Sequence, residues 1–416
     1  MYDSPRVVLV APRYSYRLPA YLAACETTGI RALIASEGEL ALSARWPGVR
    51  CPFDRPDAAA QIIHAALGPA GAQAVVATDD SATEIAAHLA AALSLPHNPP
   101  AAMHASRRKD RARAVLASHG LAVPDHRVVQ LRRPVAPQCA EAGWPVVIKP
   151  LAMAGSRGVI RADDAASLEA AATRVARIVA ESGDEYEREH ALVEAFVDGP
   201  EFALEAVLRD GEIEVLAIFD KPEPMNGPYF EETYYISPAR IDAVTRRALI
   251  DSTRAACAAY GLRHGPVHAE LRMHDGRAWI MEVAARTIGG DCARLVEHAT
   301  GRTLESIVIG NALGLEHTLP EMTGAAGVLM LPIPAAGMLR RVEGLLNAQA
   351  VDGVNEVRIA IQPGNLVTPL PEGSSYLGFV FATGADADRV ERALRHAHAQ
   401  LKFVIAPLLP AGLSVF

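Results

Sequence analysis

Cysteine is scarce in this sequence and does not occur in the spacings that organise a fold. The 416 residues include five cysteines, at scattered positions and never in a CxxC pair. An odd, scattered set favours reduced thiols over a disulfide framework, and thiols stay reduced in a cytoplasm. We therefore expect a cytoplasmic protein.

Long hydrophobic runs and an excess of basic residues are also missing. No uninterrupted apolar run reaches about 18 residues, and the N-terminus has no basic segment followed by an apolar one. We therefore expect neither a membrane span nor a secretory leader. The net charge of −8 argues against a nucleic-acid partner. With 50% hydrophobic and 21% charged residues, the composition is that of an ordinary soluble enzyme.

Signatures of several enzyme classes are absent. The first apolar run leads into residues 11–13 (APR) rather than GxGxxG, which argues against a dinucleotide site there. There is no HExxH, and residues 155–158 (GSRG) have the wrong spacing for a GxSxG elbow. His268-x-Glu270 matches half of a deaminase zinc motif, but no P-C-x-x-C follows. These absences disfavour zinc deaminase, metalloprotease and serine hydrolase chemistry.

What is present begins with an α/β pattern in residues 1–105. The apolar runs 6–12, 31–36 and 73–78 suit buried parallel strands, and Ala-rich stretches such as 81–95 suit the helices that accompany them. This alternation predicts a small, doubly wound N-terminal α/β domain.

A helix predicted over 106–124 opens a central domain of residues 106–320. Ser106 is a suitable N-cap and Gly120 a suitable C-terminal stop. The helix carries several basic residues, including Lys109. They form either a solvated helix face or a phosphate-binding surface.

Residues 144–164 predict a strand, a glycine-containing loop and a second strand. Lys149 lies inside the first, apolar strand, where a lysine is unfavourable unless it is paired or faces a ligand. Gly155, Ser156 and Gly158 can open the backbone so that its N–H groups face an anion. The lysine precedes the glycines, so this is not the GxxxxGK[ST] phosphate loop.

Glu194 and Glu201 flank a short connection between two predicted strands. They are either surface carboxylates beside a turn or part of a nucleotide-binding hinge. In the second interpretation the hinge backbone at Ala195, Phe196 and Val197 pairs with a base, and an acid binds hydroxyl groups.

Two further regions complete the chain. Residues 221–240 are rich in Pro, Gly and Tyr, and form a loop long enough to cover an active site. A helix predicted over 241–260 follows. Residues 321–416 predict a small C-terminal α+β domain with this order of elements: strand 327–333, helix near 338–349, strand 354–361, strand 376–383 and helix 385–401.

The stretch 268–291 predicts a hairpin that turns at Asp275-Gly276. Strand side chains alternate between faces, so His268 and Glu270 lie opposite the apolar odd-numbered residues. The polar face is either a solvated surface or an ion-binding platform.

The register of this hairpin follows from its hydrophobic pattern. Asp-Gly favours a two-residue loop, but such a loop would put Glu270 on the same face as Trp279 and Met281. A three-residue loop keeps the apolar residues together, so we predict three residues. Glu282 and Arg286 then share the face of Glu270, with the two carboxylates within reach of one ion.

Several of the residues described above occur in the order that is typical of the ATP-grasp superfamily, and the chain resembles that superfamily across about residues 106–315. In sequence order they are Lys109, Lys149 with the Gly155–Gly158 loop, Glu194, Glu201, Glu270, Glu282 and Arg286. Two further segment pairs, HAELRM with MEVAAR and VRIAIQPG with PEGSSYLGFVFATG, are similar to the bacterial L-amino-acid ligases (dipeptide synthases). The resemblance implies an ATP-grasp fold with an N-terminal doubly wound (pre-ATP-grasp) domain and a small C-terminal α+β domain.

The resemblance implies ATP as a substrate and assigns the nucleotide contacts. Lys109 and Lys149 match the two lysines that grip the phosphates, beside the glycine loop. Glu194 then lies by the adenine and Glu201 holds the ribose, a spacing similar to that of D-alanine–D-alanine ligase.

The resemblance also implies a metal and a reaction centre. Glu270 and Glu282 match the acids that bridge Mg²⁺, one or two ions, for which Mn²⁺ can substitute. Arg286 matches the arginine that meets the transferred phosphate and the substrate carboxylate. Gly289 and Gly290 let the substrate approach, and His268 is a neighbour. Many ATP-grasp enzymes have Asn where this chain has Ala284, which removes one oxygen ligand.

The activity implied is ATP-dependent joining of an amino acid or related carboxylate to an amine, through an acyl phosphate, with release of ADP and phosphate. A biotin-carboxylase-like or purine-type ligase is an alternative, although the sequence has no biotin-carrier segment. A nucleotide-binding module without turnover is another. The implied partners are small molecules, with no nucleic acid or membrane, and the superfamily resemblance suggests a homodimer.

Overall fold

The protein is represented by a computed structural model that describes residues 7–38, 46–316, 318–320 and 323–408. The strands of the described residues are β1 Val7–Val10, β2 Ala32–Ser36, β3 Gly48–Arg50, β4 Ala74–Ala77, β5 His126–Gln130, β6 Val146–Lys149, β7 Ile160–Ala162, β8 His190–Ala195, β9 Glu201–Arg209, β10 Glu212–Lys221, β11 Tyr234–Ser237, β12 Gly265–His274, β13 Arg277–Ala284, β14 Ala325–Leu331, β15 Gly337–Glu343, β16 Val354–Ile359, β17 Leu366–Val367, β18 Gly378–Gly384 and β19 Lys402–Ala406.

The α-helices of the same residues are α1 Leu18–Thr27, α2 Pro56–Leu67, α3 Thr83–Ala92, α4 Pro100–Arg107, α5 Lys109–Ser118, α6 Ala165–Val179, α7 Glu185–Glu189, α8 Ala243–Tyr260, α9 Ala293–Thr300, α10 Leu304–Ala312, α11 Leu345–Gln349 and α12 Ala387–Gln400. None of the described helices is both long enough and apolar enough to cross a bilayer.

The chain forms two compact units, each assembled from three segments. The first comprises Met1–Val123, Phe202–Ile218 and Ile241–Met322. The second comprises Pro124–Glu201, Phe219–Arg240 and Thr323–Phe416. The division into domains 1–105, 106–320 and 321–416 remains a prediction.

The first unit contains the predicted parallel sheet, with strand order β3-β2-β1-β4. β1 and β2 are buried along their whole length, as expected for strands covered on both faces. The three apolar runs are therefore confirmed as strands, whereas the short edge strand β3 was not predicted. Asp79 and Asp80 follow directly after β4, at the carboxyl edge of this sheet.

The same unit holds a second sheet with the order β13-β12-β9-β10, counting β9 from Phe202 and β10 up to Ile218. Helix α8 packs on β12 and β13, and α4 and α5 pack on α8. Asp242 caps the N-terminus of α8 by accepting a hydrogen bond from Thr245 N–H.

The predicted three-residue loop of the β12–β13 hairpin is wrong. His274 pairs with Arg277, which leaves a two-residue turn, and Asp275 and Gly276 both have positive φ, as a type I′ turn requires. A β-bulge between Glu270 and Leu271 on β12 then takes up the extra residue of β13, so Glu270 still pairs with Glu282.

Contacts from outside the hairpin engage the backbone of β13 at this bulge. Arg113 of α5 donates a 2.6 Å hydrogen bond to the Met281 carbonyl, and Ile280 N–H donates to the Ala122 carbonyl. Because the bulge changes the parity of β13, Ala278 and Ile280 are the buried residues near the turn, rather than Trp279 and Met281.

The single helix predicted over 106–124 is also wrong. The structure has two helices, α4 and α5, separated at Arg108, whose ψ of 109° is extended. Ser106 is not an N-cap: it lies in the last turn of α4, where its hydroxyl donates to the Met103 carbonyl. The break makes Lys109 the first residue of a new helix.

The second unit contains a sheet with the order β5-β8-β6-β7, covered by α6. Asp164 and Ser167 form a capping box that begins α6. A further sheet runs from the end of β10 through β11, β14, β18 and β16, with α12 packed against β11, β14 and β18. β17, β15 and β19 form a third sheet.

Two predictions in the second unit are wrong in part. The helix predicted near 338–349 is strand β15 followed by the short helix α11, and the φ of 84° at Gly344 marks the change. β15 forms because β19, which was not predicted, pairs with it. The 221–240 loop contains strand β11, which pairs with β14.

Candidate active site

In the first unit the two predicted metal acids lie opposite each other. Glu270 of β12 and Glu282 of β13 are register partners, so their side chains leave the same face of the hairpin. Lys109 places its Nζ atom 3.3 Å from Oε2 of Glu282. Carboxylate oxygens are the ligands that Mg²⁺ prefers, and two of them face each other here, so the residues fit a divalent cation.

His268 lies between Glu270 and a carboxylate that the sequence interpretation missed. Its Nδ1 atom is 3.1 Å from Oε2 of Glu205, and its Nε2 atom is 3.5 Å from Oε1 of Glu270. Burial alone would lower the pKa of His268, but the two carboxylates raise it to about 8. The two carboxylates therefore favour the protonated form of His268.

Glu205 could have been found from the sequence. It lies in the apolar run FALEAVL of β9, and a carboxylate at such a position is unfavourable unless it has a partner. The same reasoning identified Lys149 and was not applied to Glu205.

Arg286 is paired with Asp80, another residue that was missed. Arg286 Nε donates a 2.9 Å hydrogen bond to Oδ2 of Asp80, and its NH1 group donates to the Thr287 carbonyl. Burial favours a raised pKa for Asp80, but the charge and hydrogen bond of Arg286 lower it below the usual 3.8. The signal for Asp80 was its position after β4, since ligands of α/β sheets bind at the carboxyl ends of strands.

A second ion pair lies beside this one. Arg17 donates a 2.7 Å hydrogen bond to Oδ1 of Asp79, while Ser15 and Thr78 donate to Oδ2 of the same carboxylate. Arg17 also contacts the Ile288 carbonyl at 3.4 Å. The loop after β1 therefore holds both Asp79 and the segment that follows Arg286.

Gly289 and Gly290 are in contact with that same loop. A Cβ atom at Gly289 would lie 3.2 Å from the Arg17 guanidinium and 3.3 Å from the Tyr16 hydroxyl. Gly290 has a φ of 62° and donates its N–H to the Tyr16 hydroxyl. The glycines allow Tyr16 and Arg17 to approach this backbone closely. Approach of a substrate to the same backbone stays a prediction.

In the second unit Lys149 and Glu194 form a buried ion pair. Lys149 Nζ contacts Oε2 of Glu194, and both side chains are less than a tenth exposed. The two residues lie on neighbouring strands, β6 and β8. Pairing with Glu194 explains how Lys149 is tolerated inside an apolar strand.

Glu201 is held by a lysine that was missed. Lys221 Nζ lies 2.8 Å from Oε1 of Glu201 and 2.6 Å from Oε1 of Glu232. In the sequence, Lys221 is the first residue of the 221–240 loop. Its position at the end of the apolar strand β10 is the signal that marked Lys149 at the end of β6.

The glycine loop adopts the open backbone that its sequence predicts. Gly155, Ser156 and Gly158 have φ values of 64°, 54° and 75°. A Cβ atom at Gly158 would lie 2.7 Å from Pro150, so glycine is required there. Gly158 N–H donates to the Pro371 carbonyl of the C-terminal segment.

The hinge residues have defined partners. Ala195 N–H donates to the Asp125 carbonyl, and Phe196 N–H donates to the Pro145 carbonyl. A base at this hinge would therefore meet other groups, such as backbone carbonyls or the Phe196 ring. That ring packs on an apolar cluster formed by Val147, Val159, Met225 and Phe230.

The 221–240 loop is anchored within the second unit. Pro228 accepts a hydrogen bond from Arg161 N–H, and the Tyr229 hydroxyl contacts Arg174. Arg174 also forms a two-point ion pair with Glu372 of the C-terminal segment. These contacts fix the loop to the glycine-loop strand β7 and to α6.

Comparison with known families identifies this arrangement. A model of the ATP-grasp domain matches residues 142–294, which include both lysine–glutamate pairs and the facing acids. Residues 142–294 of this chain therefore resemble an ATP-grasp domain. A model of the L-amino acid ligase C-terminal domain 2 matches residues 329–406. The resemblance to ATP-grasp ligases and the expected fold are thereby confirmed.

Known proteins resemble this chain over most of its length. The uncharacterised protein y4rH of Sinorhizobium fredii is 27% identical over 76% of this chain and 64% of its own. Dapdiamide A synthase of Enterobacter agglomerans is 26% identical over 72% of each chain. The crystal structure of L-amino acid ligase from Bacillus licheniformis matches with a TM-score of 0.82 at 26% identity, covering 97% of this chain and 99% of that one.

These relatives support ATP-dependent carbon–nitrogen ligation with small-molecule substrates. ATP-grasp ligases use ATP and a divalent metal ion, and the carboxylate chemistry of Glu270 and Glu282 agrees with that requirement.

Proposed function

We propose that this chain joins the carboxylate of an amino acid, or a related acid, to an amine or a second amino acid at the expense of ATP. One observation carries the proposal. Glu270 and Glu282 face each other, Lys109 contacts Glu282, and β13 leads directly to Arg286. This combines ligands for a cation with positive charge for phosphate, which is what phosphoryl transfer requires.

The second unit supplies groups suited to a nucleotide. We assign Lys149 and the Gly155–Gly158 loop to the phosphates, Glu194 to the adenine side and Glu201 to the ribose hydroxyl groups. The apolar cluster around Phe196 suits the face of a base. On binding, Lys149 and Lys221 would share their positive charge between their carboxylate partners and the ligand.

Glu270 and Glu282 would hold Mg²⁺, with Mn²⁺ as a substitute. When bound, the ion would neutralise charge on the β- and γ-phosphates. Ala284, buried opposite His268, offers no oxygen ligand, so a second ion would have one ligand fewer from β13.

The reaction has two steps. A carboxylate oxygen of the first substrate attacks the γ-phosphorus, the bond to the β,γ-bridging oxygen breaks, and ADP leaves with that electron pair. The amine nitrogen of the second substrate then attacks the acyl carbon, the carbon–oxygen bond to phosphate breaks, and the nitrogen loses a proton. Amide and inorganic phosphate result.

Residues of this chain would orient these steps. Arg286 presents a planar guanidinium that suits carboxylate or phosphate oxygens, and Asp80 fixes its Nε side. Pro228, Tyr229 and Phe230 of the 221–240 loop would exclude water, because an acyl phosphate is readily hydrolysed.

The substrate class is supported by the names of the relatives. One is an L-amino acid ligase and another is dapdiamide A synthase, and this chain carries the L-amino acid ligase C-terminal domain 2. We accordingly propose amino acids as substrates, a cytoplasmic location and a homodimer. Light scattering on the purified chain tests the oligomeric state, and a monomer would contradict that part.

A coupled assay of ADP release over a matrix of amino-acid pairs tests the function, with mass spectrometry of the products. We expect ADP release that depends on amino acids, and a product lighter than the two substrates by one water. Release that depends on bicarbonate would indicate a carboxylase-type activity instead. ATP binding without release under any condition would indicate a module without turnover.

A further inference from the structure

Glu205 is a buried carboxylate to which the reaction described above gives no role. It lies in the middle of β9 with no exposed surface, between the apolar residues Leu204 and Ala206. An ionised carboxylate at such a site is strongly unfavourable unless hydrogen bonds compensate it. Its partners therefore indicate what it is for.

Those partners come from two separate parts of the first unit. Oε2 of Glu205 lies 3.1 Å from Nδ1 of His268 on β12. The backbone N–H of Ile288 donates to both carboxylate oxygens, at 3.1 and 3.2 Å. One side chain thus joins β12 to the segment that follows Arg286.

The contact with His268 determines which way the imidazole faces. Because Nδ1 is engaged by Glu205, Nε2 points to Oε1 of Glu270, at 3.5 Å. Hydrogen bonds of this kind orient metal-binding carboxylates, and their loss weakens metal binding. Without Glu205 the ring could rotate, and Glu270 would lose a neighbour that holds one of its oxygens.

The contact with Ile288 acts on the other half of the site. Ile288 lies two residues after Arg286 and directly before Gly289. A hydrogen bond to its N–H holds the backbone of this segment at a fixed distance from β9. The guanidinium of Arg286 and the two glycines are therefore positioned relative to the hairpin by the same carboxylate.

We propose that Glu205 is a positioning residue for both halves of the site. Through His268 it orients the metal-binding carboxylate Glu270, and through Ile288 it fixes the position of the Arg286–Gly290 segment relative to that carboxylate. This inference rests on the proposed ligase function for its meaning. Its test is a binding measurement, so the two can fail separately.

The substitution Glu205→Gln keeps the size of the side chain and an oxygen for Ile288, and removes the charge that holds His268. Isothermal titration of ADP is performed with and without Mn²⁺. We expect the affinity for ADP in the presence of Mn²⁺ to fall by about 10- to 100-fold. ADP binding without metal should stay within about twofold of the native value.

Glu305→Gln is the matched control. Glu305 is a buried glutamate of α10 in the same unit, but it contacts neither His268 nor Ile288 among the described hydrogen bonds. We expect this variant to bind ADP and Mn²⁺ as the native protein does. An equal loss in both variants would show a general effect of buried charge and would overturn the proposal.

A double-mutant cycle with His268→Asn separates positioning from a merely structural role. If Glu205 acts through His268, the two substitutions together weaken Mn²⁺-dependent binding little more than either alone. Additive losses, or a lowered melting temperature with unchanged Mn²⁺ dependence, would overturn the proposal.

Glu205→Asp covers the case in which Glu205→Gln does not fold. It keeps the charge and shortens the reach by one methylene, so Mn²⁺-dependent binding must again weaken, and unchanged binding overturns the proposal. If the native protein releases no ADP with any amino acid but Glu205→Gln still loses Mn²⁺-dependent binding, the ligase proposal fails and this one stands.

Discussion

Glu194 and Glu201 in the second unit each contact a lysine, whereas Glu270 and Glu282 in the first unit face each other. The buried Lys149–Glu194 pair neutralises its own charge, whereas Lys221 is shared by Glu201 and Glu232. Like charges directly opposite each other on neighbouring strands are destabilising, and Lys109 and His268 are among the groups that offset them here. The Lys149–Glu194 pair of the second unit is therefore electrostatically satisfied by its own residues, while the hairpin of the first unit is suited to additional positive charge.

The largest effect should come from breaking a pair in the second unit. Lys149→Met leaves the buried Glu194 without its cation, so we expect a loss of about 3–5 kcal/mol in the free energy of unfolding. Urea denaturation followed by circular dichroism measures this loss. Lys149→Met combined with Glu194→Gln should recover most of it.

Lys402→Met is the control for that variant. Lys402 is exposed, and its contact with Glu343 is 3.7 Å long. Its substitution should change the free energy of unfolding by no more than about 0.5 kcal/mol. A comparable loss for the two lysines would contradict the assignment of the larger effect to the buried Lys149–Glu194 pair.

Removing a facing acid in the first unit should affect activity rather than folding. Glu282→Ala removes one of two like charges, so the melting temperature without metal should change little. Amino-acid-dependent ADP release should fall by about 10²- to 10³-fold. The exposed Glu212→Ala on β10 is the control. Near-native turnover in Glu282→Ala would contradict the metal assignment.

A smaller effect is expected from the partner of Arg286. Asp80→Asn removes a charged hydrogen bond and frees the guanidinium to turn, so kcat/KM should fall by about ten- to a hundredfold. Asp54→Asn, at an exposed position, is the control. Unchanged kcat/KM in Asp80→Asn would show that the hydrogen bond from Asp80 is not needed to orient Arg286.

Asp80 also predicts a dependence of stability on pH. Its pKa is lower in the folded state than its usual 3.8, so the stability it contributes is present above that value and is lost as the pH falls through the folded pKa. The difference in unfolding free energy between the native protein and Asp80→Asn should therefore shrink below about pH 4, as urea titrations at several pH values can test.

The smallest effect concerns the thiols. Burial raises the pKa of Cys25 and Cys51 to about 11 and that of Cys257 to about 12, so a thiol reagent at pH 8 should modify the native protein slowly. Cys139 is the cysteine of the second unit and packs in its core. In the Lys149→Met variant, Cys139 should be labelled at a lower urea concentration than Cys257. Labelling of both thiols at the same urea concentration would contradict the expectation that the substitution weakens the second unit independently of the first.

The sequence was informative where a local pattern met a strong physical requirement. Lys149 stood out because an unpaired lysine is unfavourable in an apolar strand, and Glu270 and Glu282 stood out because strand parity puts them on one face. The same rule, applied to Glu205 and Lys221, would have found them too.

Other features depended on contacts that no local pattern contains. The loop of the hairpin has two residues because a β-bulge accommodates one extra residue of β13, which keeps Glu270 opposite Glu282 as a third loop residue would have done. Arg113 and the Ala122 carbonyl form hydrogen bonds to the backbone of β13 beside this bulge. β15 was predicted as a helix because its partner β19 lies about 60 residues further along the chain.

By itself the sequence determined the chemistry of this protein: which residues carry charge, which strands are buried, and the order of lysines, glycines and acids that marks an ATP-grasp ligase. Only the tertiary structure decided the partners of those charges. Asp80 reaches Arg286 and Glu205 reaches His268 and Ile288 across 206, 63 and 83 residues of chain. A buried charge is stabilised by whatever lies beside it in space, and that neighbour is set by how the strands pack.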